Sequence, residues 1–382
     1  MKRLVLVGAG HAHLQVLQAF AREPLAGAEL LLVTPFGRQL YSGMVPGLVA
    51  GRYTTEQCAI DVAPLAAAAR ASLVEASAVG LDCAARQLRL SDGRSAEYDV
   101  LSLNGGAVMD RDVLPGAREH GLFVRPIEHF VHLLPGLWAL AETRVLDVVV
   151  VGGGAAGVEL ALALAHRLAP RGGEERARIA LVTGGPEPMA GSPQRALQRV
   201  ARALAARRIT VVRQACTALR EDAVLLDNGA RLACDAPVLA TGAEAPPWLA
   251  GSGLALDVQG FVITDATLQS QNHREVFAAG DIATRADVAH ARSGVYAVRA
   301  GAALALNLRR FVDGGSLVVH RPPPRTLNLI SCGRRRAIVS WGALAAEGRW
   351  AWWWKDWIDR RFVARFAVAA AAGDLTRPAG TR

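Results

Sequence analysis

The residues best suited to chemistry in this chain are glycines, set twice in loops that can cradle phosphate. Gly152-Gly153-Gly154-Ala155-Ala156-Gly157-Val158-Glu159 satisfies a G-x-G-x-x-G fingerprint at Gly152, Gly154 and Gly157. In such a loop the first glycine permits a tight turn after a strand and the second admits backbone amides to a pyrophosphate at a helix N-terminus. The third lets helix and strand pack closely. Gly8-Ala9-Gly10-His11-Ala12-His13 offers the first two glycines, Gly8 and Gly10, but places His13 third. That imidazole has two readings, a packed or capping side chain or a direct contact with phosphate or ribose. A single loop of this kind matches by chance fairly often, whereas two in one chain point to two dinucleotide sites. Thr34 stands where an acid would normally bind the first adenosine ribose, and Thr183 with Gly184 holds the second such corner. Neither corner has its carboxylate and no arginine directly follows Thr183, so the choice between a 2′-hydroxyl and a 2′-phosphate is not legible there.

The elements that must position these loops follow from hydrophobic periodicity. Residues 3–7 form an apolar run ending at Gly8, and residues 13–22 carry apolar side chains at helical spacing. Residues 29–33 read as the next buried strand, which completes a right-handed βαβ unit. The same order recurs as strand 147–151, glycine turn 152–157, helix 158–167 and strand 179–183. Residues 238–242 and 276–281 each run from an apolar strand into a small-residue turn, and after Gly280 the chain is expected to re-enter the first unit. Arg321-Pro322-Pro323-Pro324-Arg325 reads as a stiff, extended linker. The expected fold is α/β, with two Rossmann-like dinucleotide-binding domains and an α+β or helical C-terminal tail. Residues 1–118 and 251–318 are assigned to the first domain, 119–250 to the second and 319–382 to the tail.

Bulk composition sets the limits. A chain of 382 residues, 52% hydrophobic and 20% charged, suits more than one well-buried core. Its net charge of +9 rests on scattered arginines, with lysine only at Lys2 and Lys355. No aromatic-interleaved basic face is apparent, so no nucleic-acid partner is expected, while anionic cofactors and membrane surfaces stay open. Cys58, Cys83, Cys216, Cys234 and Cys332 are dispersed, without a CxxC pair or metal-ligand spacing. They predict reduced thiols in the cytoplasm and no metal site. The first residues read as a strand rather than a signal peptide, and no segment approaches the ~20 apolar residues of a spanning helix.

These motifs together resemble the pyridine nucleotide-disulfide oxidoreductase superfamily of flavoproteins with two dinucleotide-binding domains. The resemblance rests on the paired loops, on Ala240-Thr241-Gly242 at the domain return and on Phe277-Ala278-Ala279-Gly280-Asp281. It implies FAD in the first domain and NAD(P)H in the second, with Thr241, Gly242 and Gly280 beside the cofactors and Asp281 on the flavin ribityl chain. Disulfide reductases of this superfamily carry a redox cysteine pair, which this chain lacks. The remaining branch is similar to type II NADH dehydrogenases. More narrowly, the loop at residues 8–13, Tyr41-Ser42-Gly43-Met44-Val45-Pro46-Gly47 and the segment 354–362 resemble a subgroup associated with selenophosphate synthetase.

The same resemblance brings Tyr41, Ser42, Gly43 and Met44 against the isoalloxazine and places Glu159 on its nicotinamide side. There a carboxylate can hold the carboxamide or relay a proton; read without the resemblance, Glu159 is a first-turn helix glutamate. A helix over 293–307 would aim its N-terminus at the flavin pyrimidine ring. Trp350, Trp353, Trp354 and Trp357, followed by Phe362 and Phe366, form an amphipathic stripe. It suits a membrane surface, a cover over the flavin domain or a homodimer contact. Three functions stand open: an NAD(P)H-oxidising flavoenzyme with a quinone or other small acceptor, a flavoenzyme acting on a selenium or sulfur species, and a non-catalytic redox sensor.

Overall fold

The computed structural model describes residues 1–170, 172 and 174–367. The frayed tail expected after Gly373 lies outside the described residues. Runs of Val and Leu without polar interruption build two parallel sheets, as strands do when helices cover both faces. In the first unit β1 (Lys2–Val7), α1 (His11–Arg22), β2 (Ala28–Thr34) and β3 (Ala71–Glu75) lead into a meander of β4 (Ala78–Asp82), β5 (Gln87–Leu90) and β6 (Ser95–Glu97). The chain then returns as β7 (Val100–Leu103).

The second unit begins with β8 (Leu122–Phe123) and α2 (Ile127–Leu140) and then repeats the plan. It runs through β9 (Leu146–Val151), α3 (Ala155–Arg167), β10 (Ala177–Val182), α4 (Gln194–Ala205) and β11 (Thr210–Val212). A meander of β12 (Cys216–Arg220), β13 (Ala223–Leu226) and β14 (Arg231–Ala233) precedes β15 (Ala236–Leu239). Its sheet has the order β8-β15-β9-β10-β11, entirely parallel. The first sheet matches it as β16-β7-β1-β2-β3, its edge strand β16 (Val276–Ala278) supplied after the second unit is complete. This order leaves the C-terminal ends of β1 and β9 at the switch point where each open sheet takes a ligand.

Both glycine-loop helices start earlier than periodicity implied. Gly10 and Gly154 serve as extended N-caps, so α1 begins at His11 and α3 at Ala155, which draws Gly157 inside a helix. The helix after the return, α5 (Gly294–Asp313), ends where Gly314 turns left-handed at φ 74°. It packs along α1, with Gln15 Nε2 donating to the Val298 carbonyl at 2.5 Å.

The C-terminal region holds a three-stranded antiparallel sheet, β17 (Leu327–Ser331), β18 (Ala337–Trp341) and β19 (Leu344–Gly348), then α6 (Arg349–Ala364). The aromatic stripe expected on α6 is divided. Phe362 and Phe366 are buried in the first unit's core with Leu14, Leu17 and Leu304, whereas Trp350, Trp353, Trp354 and Trp357 are exposed. Burying a Phe side chain contributes ~1.5–3 kcal/mol, so the phenylalanines anchor the helix while the tryptophans face outward. Two carboxylates on its inner face are paired: Asp356 accepts from the Tyr53 hydroxyl (2.7 Å) and Arg360, and Asp359 accepts from Lys355 (2.7 Å).

Candidate functional site

Two cavities open at the switch points. The first, of about 900 Å³, is lined by Gly8, Gly10, Thr34, Ser42, Asn104, Gly280 and Asp281 among others. The second, of about 1390 Å³, is lined by Tyr41, Ser42, Gly43, Gly152, Gly154, Glu159, Thr241 and Gly242, and by residues of β17 and α6. His11, Ser42, Arg125, Ser293 and Gly294 line both, which marks the seam between them. A single small-molecule site spans ~300–1,000 Å³, so the second cavity has room for a dinucleotide end and a further molecule beside it.

Three residues singled out from the sequence line neither cavity: His13, Met44 and Gly157. His13 is fully buried behind the first loop, its Nδ1 donating to the Gly8 carbonyl (2.6 Å) and its Nε2 accepting from the Ser102 hydroxyl (2.8 Å). A carbonyl partner requires the proton on Nδ1, and burial pushes the ring down to about 4, so it is neutral. Of its two readings the packed one describes this geometry. Met44 fills the core beside Tyr53 and Cys58. Gly157 is needed because a Cβ there would strike the Gly152 carbonyl, and its role is to bring helix and strand together.

The two helix N-termini differ in how many amides they leave free. At α3 nothing among the described residues accepts from the amides of Ala155 and Ala156, and Gly154 has open space where a side chain would stand. This is the arrangement a pyrophosphate needs. At α1 the Asn104 side chain intervenes: its Oδ1 accepts from the amides of Ala12 and His13, both at 3.0 Å. Its Nδ2 donates to the Ala279 carbonyl at 2.5 Å, which ties the loop to the Gly280-Asp281 turn. The amide of His11 and the open backbone at Gly105 and Gly106 remain toward the cavity. The first cavity therefore fits an anionic dinucleotide, with the Gly8–Gly10 loop packed so closely on residues 104–105 that neither glycine tolerates a Cβ.

At the seam, Asp281 pairs with Arg125 at 3.1 Å. His11 stands edge-on to Tyr41 and Phe362, at ring separations of 5.3 and 5.6 Å, and burial pushes it down to about 4, so it too is a neutral imidazole. The amides of Gly294 and Val295 at the α5 N-terminus have no acceptor among the described residues, and Gly294 lies within reach of the His11 ring. Lys355 reaches from α6 to donate to the Gly43 carbonyl at 2.7 Å, which fixes the turn carrying Tyr41 and Ser42.

Glu159 sits in the second cavity with one oxygen accepting from the Ser331 amide at 2.7 Å. Burial raises its carboxyl to about 7, against the pull of Lys355 and of the Ser331 hydrogen bond, with Asp359 adding to the rise. A carboxyl poised there exchanges a proton near neutrality. Sequence reasoning named Glu159 but missed Asn104, Arg125, His11 and Asp359 as parts of the site. Burial likewise raises Cys58 and Cys332 to about 12, and all five cysteines are unpaired, so none is an activated thiol.

Comparison with known proteins agrees with this architecture. The chain is 27% identical over 292 residues to a demethylphylloquinone reductase of Synechocystis, covering 73% of this chain and 71% of that one. It is 29% identical over 301 residues to an NADH dehydrogenase-like protein of Mycobacterium tuberculosis, covering 74% and 73%. Among solved structures it superimposes on the sulfide:quinone oxidoreductase of Aquifex aeolicus with a TM-score of 0.81, at 18% identity over 96% of this chain and 91% of the other. It superimposes on NDH2 of Plasmodium falciparum in complex with NADH at 0.77, with 12% identity over 96% and 97%. Residues 2–302 match the model of the pyridine nucleotide-disulphide oxidoreductase family. The chain therefore belongs to the pyridine nucleotide-disulphide oxidoreductase family.

Proposed function

We propose that this protein passes the electrons of NAD(P)H to a quinone-type acceptor bound in the second cavity. The carrying observation is the size and wall of that cavity. Beyond the α3 N-terminus its wall is apolar at Leu327, Leu329 and Ile358, with the largely buried Ile330 and Phe362 also reaching it, and is rimmed by Arg325, Lys355 and Arg361. That surface suits a flat, apolar ring system better than a small sulfur or selenium oxyanion. Bound flavin supplies two-electron chemistry between donor and acceptor. The chain's own residues orient and exclude: the free α3 amides hold the donor's pyrophosphate, and Arg125 paired with Asp281 braces the seam where the two cavities meet. Reducing a quinone by NAD(P)H consumes one proton from solution, and Glu159 is the group placed to deliver it.

Anaerobic stopped-flow absorbance of the FAD-loaded protein tests the first half. Rapid bleaching by NADH or NADPH is expected; flavin that stays oxidised with both would sink the dehydrogenase reading and favour a sensor. Reoxidation by a soluble short-chain quinone, set against selenite and polysulfide, tests the second half. Preferential reoxidation by the selenium or sulfur species would restore the alternative drawn from kinship with the selenophosphate synthetase-associated subgroup.

NADPH is the donor favoured by the ribose corner. Thr183 turns its hydroxyl to the Gly185 carbonyl (2.7 Å), and Arg213 donates from Nε to the Pro186 carbonyl (2.7 Å), its two terminal nitrogens having no partner among the described residues. A guanidinium beside a corner without its usual acid attracts a 2′-phosphate. Arg213→Ala is expected to lower kcat/KM for NADPH about tenfold, as for one lost charged hydrogen bond, with NADH little changed. Equal loss for both donors would show that Arg213 does not read the 2′-phosphate.

No helix among the described residues is long and apolar enough to cross a membrane. The exposed tryptophans of α6 and the neighbouring Arg349 and Arg361 form a surface suited to an anionic bilayer interface. The doubly substituted Trp350→Glu/Trp354→Glu protein should no longer float with vesicles containing phosphatidylglycerol, while reducing a water-soluble quinone at the wild-type rate. Wild-type protein that sediments as a dimer and ignores vesicles would assign the same face to a second copy instead.

A further inference from the structure

Away from both cavities, four segments bring positive side chains together around the C-terminus of α3. Arg52 comes from the turn after residue 51, His166 and Arg167 from the last turn of α3, Arg207 from just beyond α4, and Arg334 and Arg335 from the turn between β17 and β18. Arg52 Nη2 lies 2.6 Å from His166 Nε2. Residue 333 packs against His166, where a Cβ on Gly333 would come within 3.0 Å of the His166 Cβ.

The charges within this group repel. Burial and then Arg335 and Arg334 lower Arg52; burial, then Arg334 and, more weakly, Arg52 lower Arg207, whose one raising influence is the Cys332 thiol. His166 alone can shed its proton, and burial with Arg52, Arg207 and Arg334 pushes it down to about 4. It is then neutral and accepts a hydrogen bond from Arg52.

Guanidinium groups do not discharge, so at least three full charges remain. A helix C-terminus contributes only about half a negative charge. No carboxylate among the described residues pairs with Arg52, Arg207 or Arg334. Glu347 is engaged with Arg202, and Glu159 holds the Ser331 amide. Two of the guanidinium nitrogens, Arg52 Nε and Arg207 Nη2, are buried without a hydrogen-bond partner among the described residues. Buried donors of this kind are costly unless something accepts from them.

We propose that Arg52, Arg207 and Arg334, with His166, form a binding site for a phosphate-bearing anion. Several N–H donors presented from planar forks match a tetrahedral oxyanion, whose negative charge offsets the repulsion. The site adjoins the exposed tryptophan face, since the guanidinium of Arg335, next to Arg334, lies over the exposed Trp353 at 5.6 Å as well as over the buried Trp352 at 5.7 Å. The phosphate is therefore either free in solution or the headgroup of a lipid. Neither source depends on the identity of the electron acceptor.

The test is thermal unfolding of the FAD-loaded protein in inorganic phosphate against chloride at equal ionic strength. The variants are Arg207→Gln, Arg334→Gln in the exposed turn, and Arg70→Gln as a distant exposed control. In chloride the cluster variants should melt no lower than wild type, because each removes a repelling charge. A clear fall in both would show that these side chains hold the fold, and would overturn the proposal. Phosphate should raise the Tm of wild type and Arg70→Gln by about 2–5 °C and leave the cluster variants unmoved. If phosphate has no effect, a lipid source predicts binding to phosphatidylglycerol vesicles that drops about tenfold in both cluster variants and not in the control, the size of one lost charged contact. Responses to phosphate and to vesicles that are both indifferent to Arg207 and Arg334 would refute the site.

Discussion

Asn104→Ala is expected to lose most of its bound FAD and about 3–6 kcal/mol of stability, the largest effect of any single substitution considered. Asn104 is almost fully buried and satisfies three backbone groups at once, the amides of Ala12 and His13 and the carbonyl of Ala279. Each buried group left without a partner costs ~1–3 kcal/mol, and a domain's whole margin is ~5–15 kcal/mol. The loss falls on the loop and turn that frame the first cavity, where the superfamily resemblance puts the flavin, so flavin occupancy should fall with stability. Asn104→Asp keeps an acceptor for the two amides but surrenders the donor to Ala279, and should fall between the two. Denaturation midpoints and the ratio of visible to ultraviolet absorbance after purification measure both effects. Wild-type flavin content in Asn104→Ala would remove this side chain from the flavin site.

Glu159→Gln should slow acceptor reduction about 10²-fold, the lower end of what a positioned acid or base contributes, while donor-driven bleaching changes far less. In the wild-type protein the oxidative step is expected to weaken as pH rises through about 7, where the carboxyl gives up its proton. The variant should show a flat profile over that range. Stability supplies an independent sign. The folded carboxyl holds its proton up to about 7 against an ordinary value of 4.5, so the unfolded state binds fewer protons in that interval. Folding stability therefore falls as pH climbs from 4.5 to 7. The glutamine variant escapes this cost and should gain on wild type at pH 8 but not at pH 4.5. Unfolding curves at the two pH values check it, and a gain at pH 4.5 alone would contradict the assignment.

The glycine loops, their flanking strands and the return at residues 276–281 were legible because each depends on neighbours in sequence. Apolar runs set the strands, and Gly8 and Gly152 permit turns that other residues resist, with φ of 85° and 134°. What escaped depends on distance. Nothing near Asn104 indicates that its side chain reaches back to Ala12 and forward to Ala279. Arg125 meets Asp281, and Glu159 feels Lys355, only once the second unit and α6 have docked. His13 looked like a missing glycine, yet its ring replaces the absent close contact with two hydrogen bonds. On α6 the helical period was right but the faces were not, because the buried side is chosen by Phe362, Phe366 and two paired aspartates rather than by the larger tryptophans. The α+β option for the C-terminal tail is the one the sheet of β17, β18 and β19 matches, although the bounds of its strands were hidden by the arginine run that separates the first two.

The edge strand β16 and helices α5 and α6 serve the first sheet from the far end of the chain, which reverses the order in which the two units can mature during synthesis. Residues 122–239 contain every strand of the second sheet and can close it while translation continues. The first sheet still lacks its edge until residue 278 has emerged, and Phe362 and Phe366 seal its core only with the last turns of α6. The first cavity begins first in the sequence and is last to be finished. A chain stalled before residue 276 therefore carries a closed second sheet beside a first sheet that still lacks its edge.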